Sequence, residues 1–338
     1  MISKKTFADW CEGLSDYLDA GMGLTSYLSD CDGQGRRLKK YNQKIKQKIE
    51  KGSTLSEALV LPQGEGKGSF FPAVFHASEV AGRLPQAMRV LAEFIRFQHG
   101  YHHKIQSMII GLFAKISALA IFLAGSMLML AKIGRADIDF LGLGLHGMPG
   151  AMTLLKYSGL FQLLAFLFIL ILYRFKNSPM LEVIMMRWPF LGRCMKSFLM
   201  YRVTFVMAEV FLAGMEIKKA LTLTYDSSGS FNFKKNLSKV LGRIKAGDDL
   251  YTAFLQHRKL PPKFVQALKH AERAGNIAQA MQRLCNQYRL ECQNNLEKIQ
   301  SITFMLTKIF MFLFCIFLIG SIIKGVALEP LMHVMSRL

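Results

Sequence analysis

A chain of 338 residues with 51% apolar residues and a mean hydropathy of +0.25 is too apolar for an ordinary soluble protein. Its 20% of charged residues equally exclude a bare membrane bundle, so membrane spans joined to basic soluble domains are expected. The net charge of +20, from 43 Lys and Arg against 23 Asp and Glu, suits nucleic acid, anionic lipid or an acidic protein, and its distribution has to choose among them.

The first residues, Met1-Ile2-Ser3-Lys4-Lys5, are basic. Asp9, Glu12 and Asp16 then interrupt the apolar run a secretory signal needs, so none is expected. Phe7, Trp10, Cys11, Leu14 and Leu18 recur at helical spacing and predict a first amphipathic helix, stopped by Gly21 and Gly23. Leu38, Tyr41, Ile45 and Ile49 line the next helix, whose other face carries eight bases between Arg36 and Lys51, including Lys40, Lys44 and Lys48. Gly52 ends it, and Thr54-Leu55-Ser56-Glu57 has the form of a capping box opening another helix. A glycine-rich loop is expected at 63–69. A helix from about Pro72 to Ala81 then stops at Gly82, where a left-handed cap favours glycine. Pro85 opens the following helix, which runs through Leu91, Phe94 and Ile95 towards the first apolar stretch.

Three stretches are apolar enough to be membrane helices, for which about 20 residues are needed. They are residues 108–131, broken only by Lys115; residues 157–173, bracketed by Lys156 and Arg174; and residues 302–323, broken only by Lys308. The regions between them differ in charge. Residues 1–107 hold 15 bases against 11 acids and residues 174–301 hold 21 against 9, but the loop 132–156 holds three against two. Bases concentrate on the cytoplasmic side of spans, so both larger regions are expected there, with the loop and the tail 324–338 opposite. The N-terminus is then inside and the C-terminus outside.

The chain also repeats itself. Ala20-Gly21-Met22 returns as Ala213-Gly214-Met215, at an offset of 193. Gly52-Ser53-Thr54-Leu55 returns as Gly247-Asp248-Asp249-Leu250 at 195, and Lys104-Ile105-Gln106-Ser107 as Lys298-Ile299-Gln300-Ser301 at 194. The run from Glu79 to Met88 matches Glu272 to Met281, again at 193. Two copies of one domain follow, each feeding an apolar stretch. In the second copy Met281, Leu284, Cys285, Tyr288, Leu296 and Ile299 form the helical stripe, with Asn276 as its N-cap. No segment shows sustained two-residue alternation. The fold class is all-α: two small homologous helical-bundle domains and three transmembrane helices.

Matched positions nominate residues. Glu79 and Gly82 pair with Glu272 and Gly275, as either a structural turn or a contact with a partner. Lys40, Lys44 and Lys48 pair with Lys235, Lys239 and Arg243, as a solvated face, an anionic-lipid contact or a docking face. Lys115 pairs with Lys308, within reach of headgroups for a snorkelling side chain or on an ion pathway.

Catalytic and cofactor motifs fail. Gly64-Glu65-Gly66-Lys67-Gly68-Ser69 lacks phosphate-loop spacing at both ends, with Leu61 and Gly68 at the deciding places. Gly142-Leu143-Gly144-Leu145-His146-Gly147 follows an apolar span instead of a strand. His99, His102 and His103 share a helix but have no Cys or carboxylate close in sequence. Cysteines 11, 31, 194, 285, 292 and 315 contain no CxxC and are expected to be reduced thiols. No catalytic, cofactor or metal residue is assigned.

Ala20-Gly21-Met22-Gly23-Leu24, the run from Gly52 to Leu59 and Glu79-Val80-Ala81-Gly82-Arg83-Leu84 together resemble the inner-membrane platform proteins of type IV pilus and type II secretion machines. Trp188-Pro189-Phe190-Leu191-Gly192 and Glu272-Arg273-Ala274-Gly275-Asn276 carry the resemblance through the second copy. It implies a non-enzymatic, cofactor-free scaffold in a bacterial inner membrane, with periplasmic loop and tail. Its implied partners are a cytoplasmic assembly ATPase, a pilin or pseudopilin, other inner-membrane assembly proteins, the bilayer and further copies of itself, with no nucleic acid. The family's proline at the entry to its first span is absent from Ser107-Met108-Ile109-Ile110-Gly111, and few residues precede the first helix. Both features point to a divergent branch such as type IVb or plasmid-borne pili. The alternatives are a transporter or channel using Lys115 and Lys308, and a membrane-bound enzyme.

Overall fold

The computed structural model describes residues 2–30, 35–59, 70–132, 147–174, 182, 186–187, 189–255, 257 and 260–323, and every extended element among them is a helix. Cys31, the loop at 63–69, Gly142 to His146, Trp188 and the tail 324–338 lie outside the described residues.

Repeat one contains α1 (Lys4–Asp19), α2 (Leu24–Asp30), α3 (Gly35–Glu50), α4 (Leu55–Ala58) and α5 (Phe71–Val80), followed by the first part of α6 (Leu84–Lys132). The Ser3 hydroxyl starts α1 by accepting the Thr6 N–H at 3.1 Å. The helix buries Phe7, Trp10, Cys11 and Leu14, while the fifth member of the expected stripe, Leu18, stays half-exposed. Trp10 donates its indole N–H to the Asn42 side-chain oxygen Oδ1 at 2.8 Å, and the Tyr27 hydroxyl donates to the Trp10 backbone carbonyl at 2.9 Å. These bonds join α1, α2 and α3 around one aromatic centre. Leu38, Tyr41 and Ile45 complete it from α3.

After α7 (Gly147–Arg174), repeat two follows the same order. It uses the C-terminal part of α8 (Pro189–Leu212), then α9 (Ile217–Ser227), α10 (Phe231–Lys234), α11 (Leu237–Lys245), α12 (Leu250–Leu255), α13 (Pro262–Arg273) and α14 (Ile277–Ile323). The helices α6 and α14, 49 and 47 residues long, run from the repeats into the first and third apolar stretches without a break. Helix α7 begins at Gly147, upstream of the apolar stretch at 157–173. Lys156 does not stop it, because one charge limits hydrocarbon burial without disturbing backbone hydrogen bonds.

The chain divides into two compact units. One comprises Met1–His103 with Asn177–Asn295, so both repeats pack into a single body. Its seam is aromatic. Phe94 stacks on Phe205 with centroids 3.9 Å apart, Tyr101 stacks on Phe198 at 4.4 Å, and Phe97 meets Tyr201 at 4.5 Å. These rings come from α6 of repeat one and α8 of repeat two, and stacked pairs of this kind add about 0.5–1.5 kcal/mol each to their burial. Polar contacts flank the seam: Tyr101 donates to the Cys194 carbonyl at 3.1 Å, and Arg289 meets Glu93 at 3.3 Å.

The other unit comprises Lys104–Lys176 with Leu296–Leu338. Helices α6, α7 and α14 are each long and apolar enough to cross a membrane. Most large side chains of α7 between Met148 and Ile171 are exposed, which is stable only against an apolar medium. Ser117 on α6 donates to Gln162 on α7 at 2.9 Å, satisfying two polar groups that lipid would leave unpaired.

Candidate functional site

The strongest repeated geometry lies where α5 ends. Gly82 has φ of 66° there, and Arg83 donates its N–H to the Ser78 carbonyl at 2.8 Å, closing the C-terminal turn. Gly275 has φ of 67° at the end of α13, and Asn276 donates to the Ala271 carbonyl at 3.0 Å. A β-branched residue is strongly disfavoured at either glycine, because its Cβ would clash in the left-handed conformation.

The glutamate three residues earlier faces another helix. The Glu79 carboxylate accepts the Leu55 and Ser56 N–H groups, at 3.0 and 3.4 Å, at the start of α4. The Glu272 carboxylate accepts the Leu250 and Tyr251 N–H groups at 2.5 and 2.7 Å at the start of α12. Each glutamate thus occupies a helix N-terminus, where free amide donors and the helix dipole favour a negative charge. In repeat one the expected capping box adds to it: the Thr54 hydroxyl accepts the Glu57 N–H, and the Glu57 carboxylate accepts the Thr54 N–H. The sequence block at Gly52–Leu55 and the block at Glu79–Gly82 are therefore two halves of one clamp, and repeat two rebuilds it. Both carboxylates are half-buried.

The basic residues are placed as follows. Lys40, Lys44 and Lys48 are exposed on α3, with the Lys48 ammonium 3.5 Å from the Glu57 and Ala58 carbonyls. Lys239 and Arg243 are exposed on α11, and Lys235 caps α10. Arg243 is engaged locally, bonding Asp248 at 2.9 Å. Lys115 and Lys308 approach the same ring: their ammonium groups lie 6.0 and 4.5 Å from the centroid of Phe304. His99 and His103 stack at 6.4 Å, and no group of three or more His, Cys, Asp or Glu among the described residues could hold a metal. Cys11, Cys194, Cys285 and Cys292 are buried free thiols, and Cys315 is an exposed one.

One feature escapes a reading of the sequence in single copies. A cavity of about 40 Å³ lies on the seam between the repeats, lined by Ser78, Arg83 and Gln86 from repeat one and by Glu209 and Gln282 from repeat two. Glu209 is only 7% exposed. Superposing the copies residue by residue would have flagged it, since Glu209 and Gln282 fall opposite Asp16 and Arg89 at the offset of 193.

Comparison with known proteins agrees with this duplicated geometry. Residues 10–131 and 204–323, most of the chain, each match the family described as type II secretion system protein F. The chain belongs to the protein F family. Over 351 aligned residues it is 22% identical to the type IV pilus assembly protein PilC of Thermus thermophilus, covering 99% of this chain and 84% of that relative. The two family matches contain the two clamps, with Glu79 in the first and Glu272 in the second.

Replacing Glu79 by Ala leaves two amides at the start of α4 without their carboxylate partner. Charge-assisted bonds of this kind contribute about 1.5–3 kcal/mol when well shielded, and half-exposure places the expected loss near the lower end. Glu79→Ala and Glu272→Ala should each lower the stability of the detergent-solubilised chain by about 1–2 kcal/mol in denaturant titrations. Gly82→Val should cost more. Unchanged midpoints in all three would show that the turns are not structural.

Proposed function

We propose that the protein is a non-enzymatic platform in a bacterial inner membrane that couples a cytoplasmic assembly ATPase to extraction of pilin or pseudopilin subunits. Membership of the protein F family and likeness to a pilus assembly protein support the general assignment. The observation that carries the finer one is the continuity of α6 and α14, each a single helix from a repeat core through an apolar stretch. A displacement of the repeats can pass along such helices, because an α-helix whose internal hydrogen bonds are unbroken resists bending. The same reading makes other inner-membrane assembly proteins, lipid and further copies of the chain its neighbours.

The topology belongs to this proposal: N-terminus and both repeats in the cytoplasm, the 132–156 loop and the tail in the periplasm. It rests on the excess of bases in residues 174–301, 21 against 9 acids. Single cysteines introduced into a cysteine-free background should be labelled from outside intact cells at position 146 and protected at positions 67 and 229. Labelling at 67 with protection at 146 would reverse the orientation.

The docking surface is the exposed basic face of α3 with its counterpart on α10 and α11. An acidic rim on the ATPase could meet it twice, once in each repeat. Exposed charges of this kind act mainly on association rate and salt dependence. Reversing Lys40 and Lys44 to Glu, and leaving Lys48 on its α4 carbonyls, should weaken ATPase binding about tenfold at low salt, less at high salt, without lowering the melting temperature. Binding that stays constant across the salt series would remove this face from the contact.

A channel is the second reading, since Lys115 and Lys308 converge on Phe304. It predicts ion flux into proteoliposomes, which the platform reading does not.

A further inference from the structure

The two repeats differ at a matched ion pair. In repeat one, Asp16 near the end of α1 meets the Arg89 guanidinium at 3.0 Å. The corresponding residues of repeat two, at the offset of 193, are Glu209 and Gln282. The carboxylate is kept and its cation is lost. At the same time the site is buried: Glu209 is 7% exposed, whereas the side chain of Asp16 is 63% exposed. No side-chain hydrogen bond of Glu209 forms among the described residues.

What faces Glu209 comes from both repeats. Arg83 of repeat one is the charged neighbour, but its guanidinium donates to the Leu212 carbonyl at 3.0 Å, capping the end of α8. Gln282 and the buried Cys285 face it from α14. Burial pushes the Cys285 thiol up to about 12, so it stays neutral throughout the physiological range. The remaining groups, Ser78 and Gln86, are uncharged. A carboxylate in the last turn of a helix also opposes the helix dipole. Burial, a missing cation and an adverse dipole act in one direction, and the adjoining cavity of about 40 Å³ is large enough for water.

We propose that Glu209 is a proton-operated latch on the seam between the repeats. Protonated, it fits the closed seam with Arg83 held on the Leu212 carbonyl. Ionised, it draws Arg83 and water into the cavity and loosens the packing of α8 against α6. The arrangement thereby makes the relation between the two repeats sensitive to any event that changes the charge at this one position.

Burial raises the Glu209 carboxyl to about 7 in the closed seam, with Arg83 pulling it partly back. In an open, hydrated seam the group returns to the ordinary carboxylate range. Closure is therefore strongest at low pH and weakens as pH rises to about 7, then stays level above it. Between pH 6 and pH 8 the opening constant should rise about tenfold.

Hydrogen exchange of the full chain in lipid nanodiscs tests this, with labelling times scaled to equal chemical exchange at pH 6 and pH 8. The segment from Glu209 to Glu216 and that from Ala81 to Val90 should exchange about tenfold faster at pH 8. Glu209→Gln should abolish the difference, because the neutral form is then permanent. Gln282→Arg, at an exposed position, restores the cation of repeat one and should abolish it by holding Glu209 ionised in the closed seam. If Glu209→Gln does not fold, Gln282→Arg decides alone. No pH difference in the natural chain, or a tenfold rise that persists in either variant, would overturn the latch.

Discussion

The carboxylate of Glu79 against the Leu55 and Ser56 amides, repeated by Glu272 against Leu250 and Tyr251, is the contact on which the repeat depends. Helix α4 has four residues and α12 six, too few to be stable alone. Each is held by a carboxylate from the following helix, at a turn whose glycine adopts a positive φ. The same turn leads directly into α6 or α14. One local bond thus links the short helices of a repeat to the long helix that leaves it.

The second constraint is the aromatic seam. Phe94, Phe97 and Tyr101 meet Phe205, Tyr201 and Phe198, so repeat one and repeat two form one compact unit. Most of the contact is apolar, and the ionisable side chain of Glu209 sits beside it almost completely buried. Its burial has a cost that grows on ionisation, which is why a single proton can matter to a large interface. An arginine in place of Gln282 would have kept the second copy like the first; here the charged neighbour, Arg83, comes from the other repeat and is bound to the Leu212 carbonyl.

Local chemistry is legible in the sequence itself. The Phe7, Trp10, Cys11 and Leu14 stripe, the Thr54 capping box and the glycine stop at Gly82 all follow from contacts within a few residues. The all-α class and the duplicated architecture were readable for the same reason, since period and repetition are properties of the chain. The clamp was half legible. Glu79 stood out because it recurs, but its bond to Leu55 spans 24 residues and depends on how α5 folds back on α4. Nothing local marks Phe94 as the partner of Phe205, or Arg83 as the cap of α8, because those contacts exist only once the two copies meet. The start of α7 at Gly147 was hidden for a different reason: hydropathy locates the apolar part of a helix, not its ends.

Two equivalent carboxylate clamps organise the two repeats, and amide exchange resolved at Leu55, Ser56, Leu250 and Tyr251 reads both of them at once. These four amides start their helices and would exchange rapidly if only water bound them. All four should be protected in the natural chain, with protection lost at Leu55 and Ser56 alone in Glu79→Ala and at Leu250 and Tyr251 alone in Glu272→Ala. Four unprotected amides in the natural chain, or protection that survives removal of the facing carboxylate, would contradict this organisation.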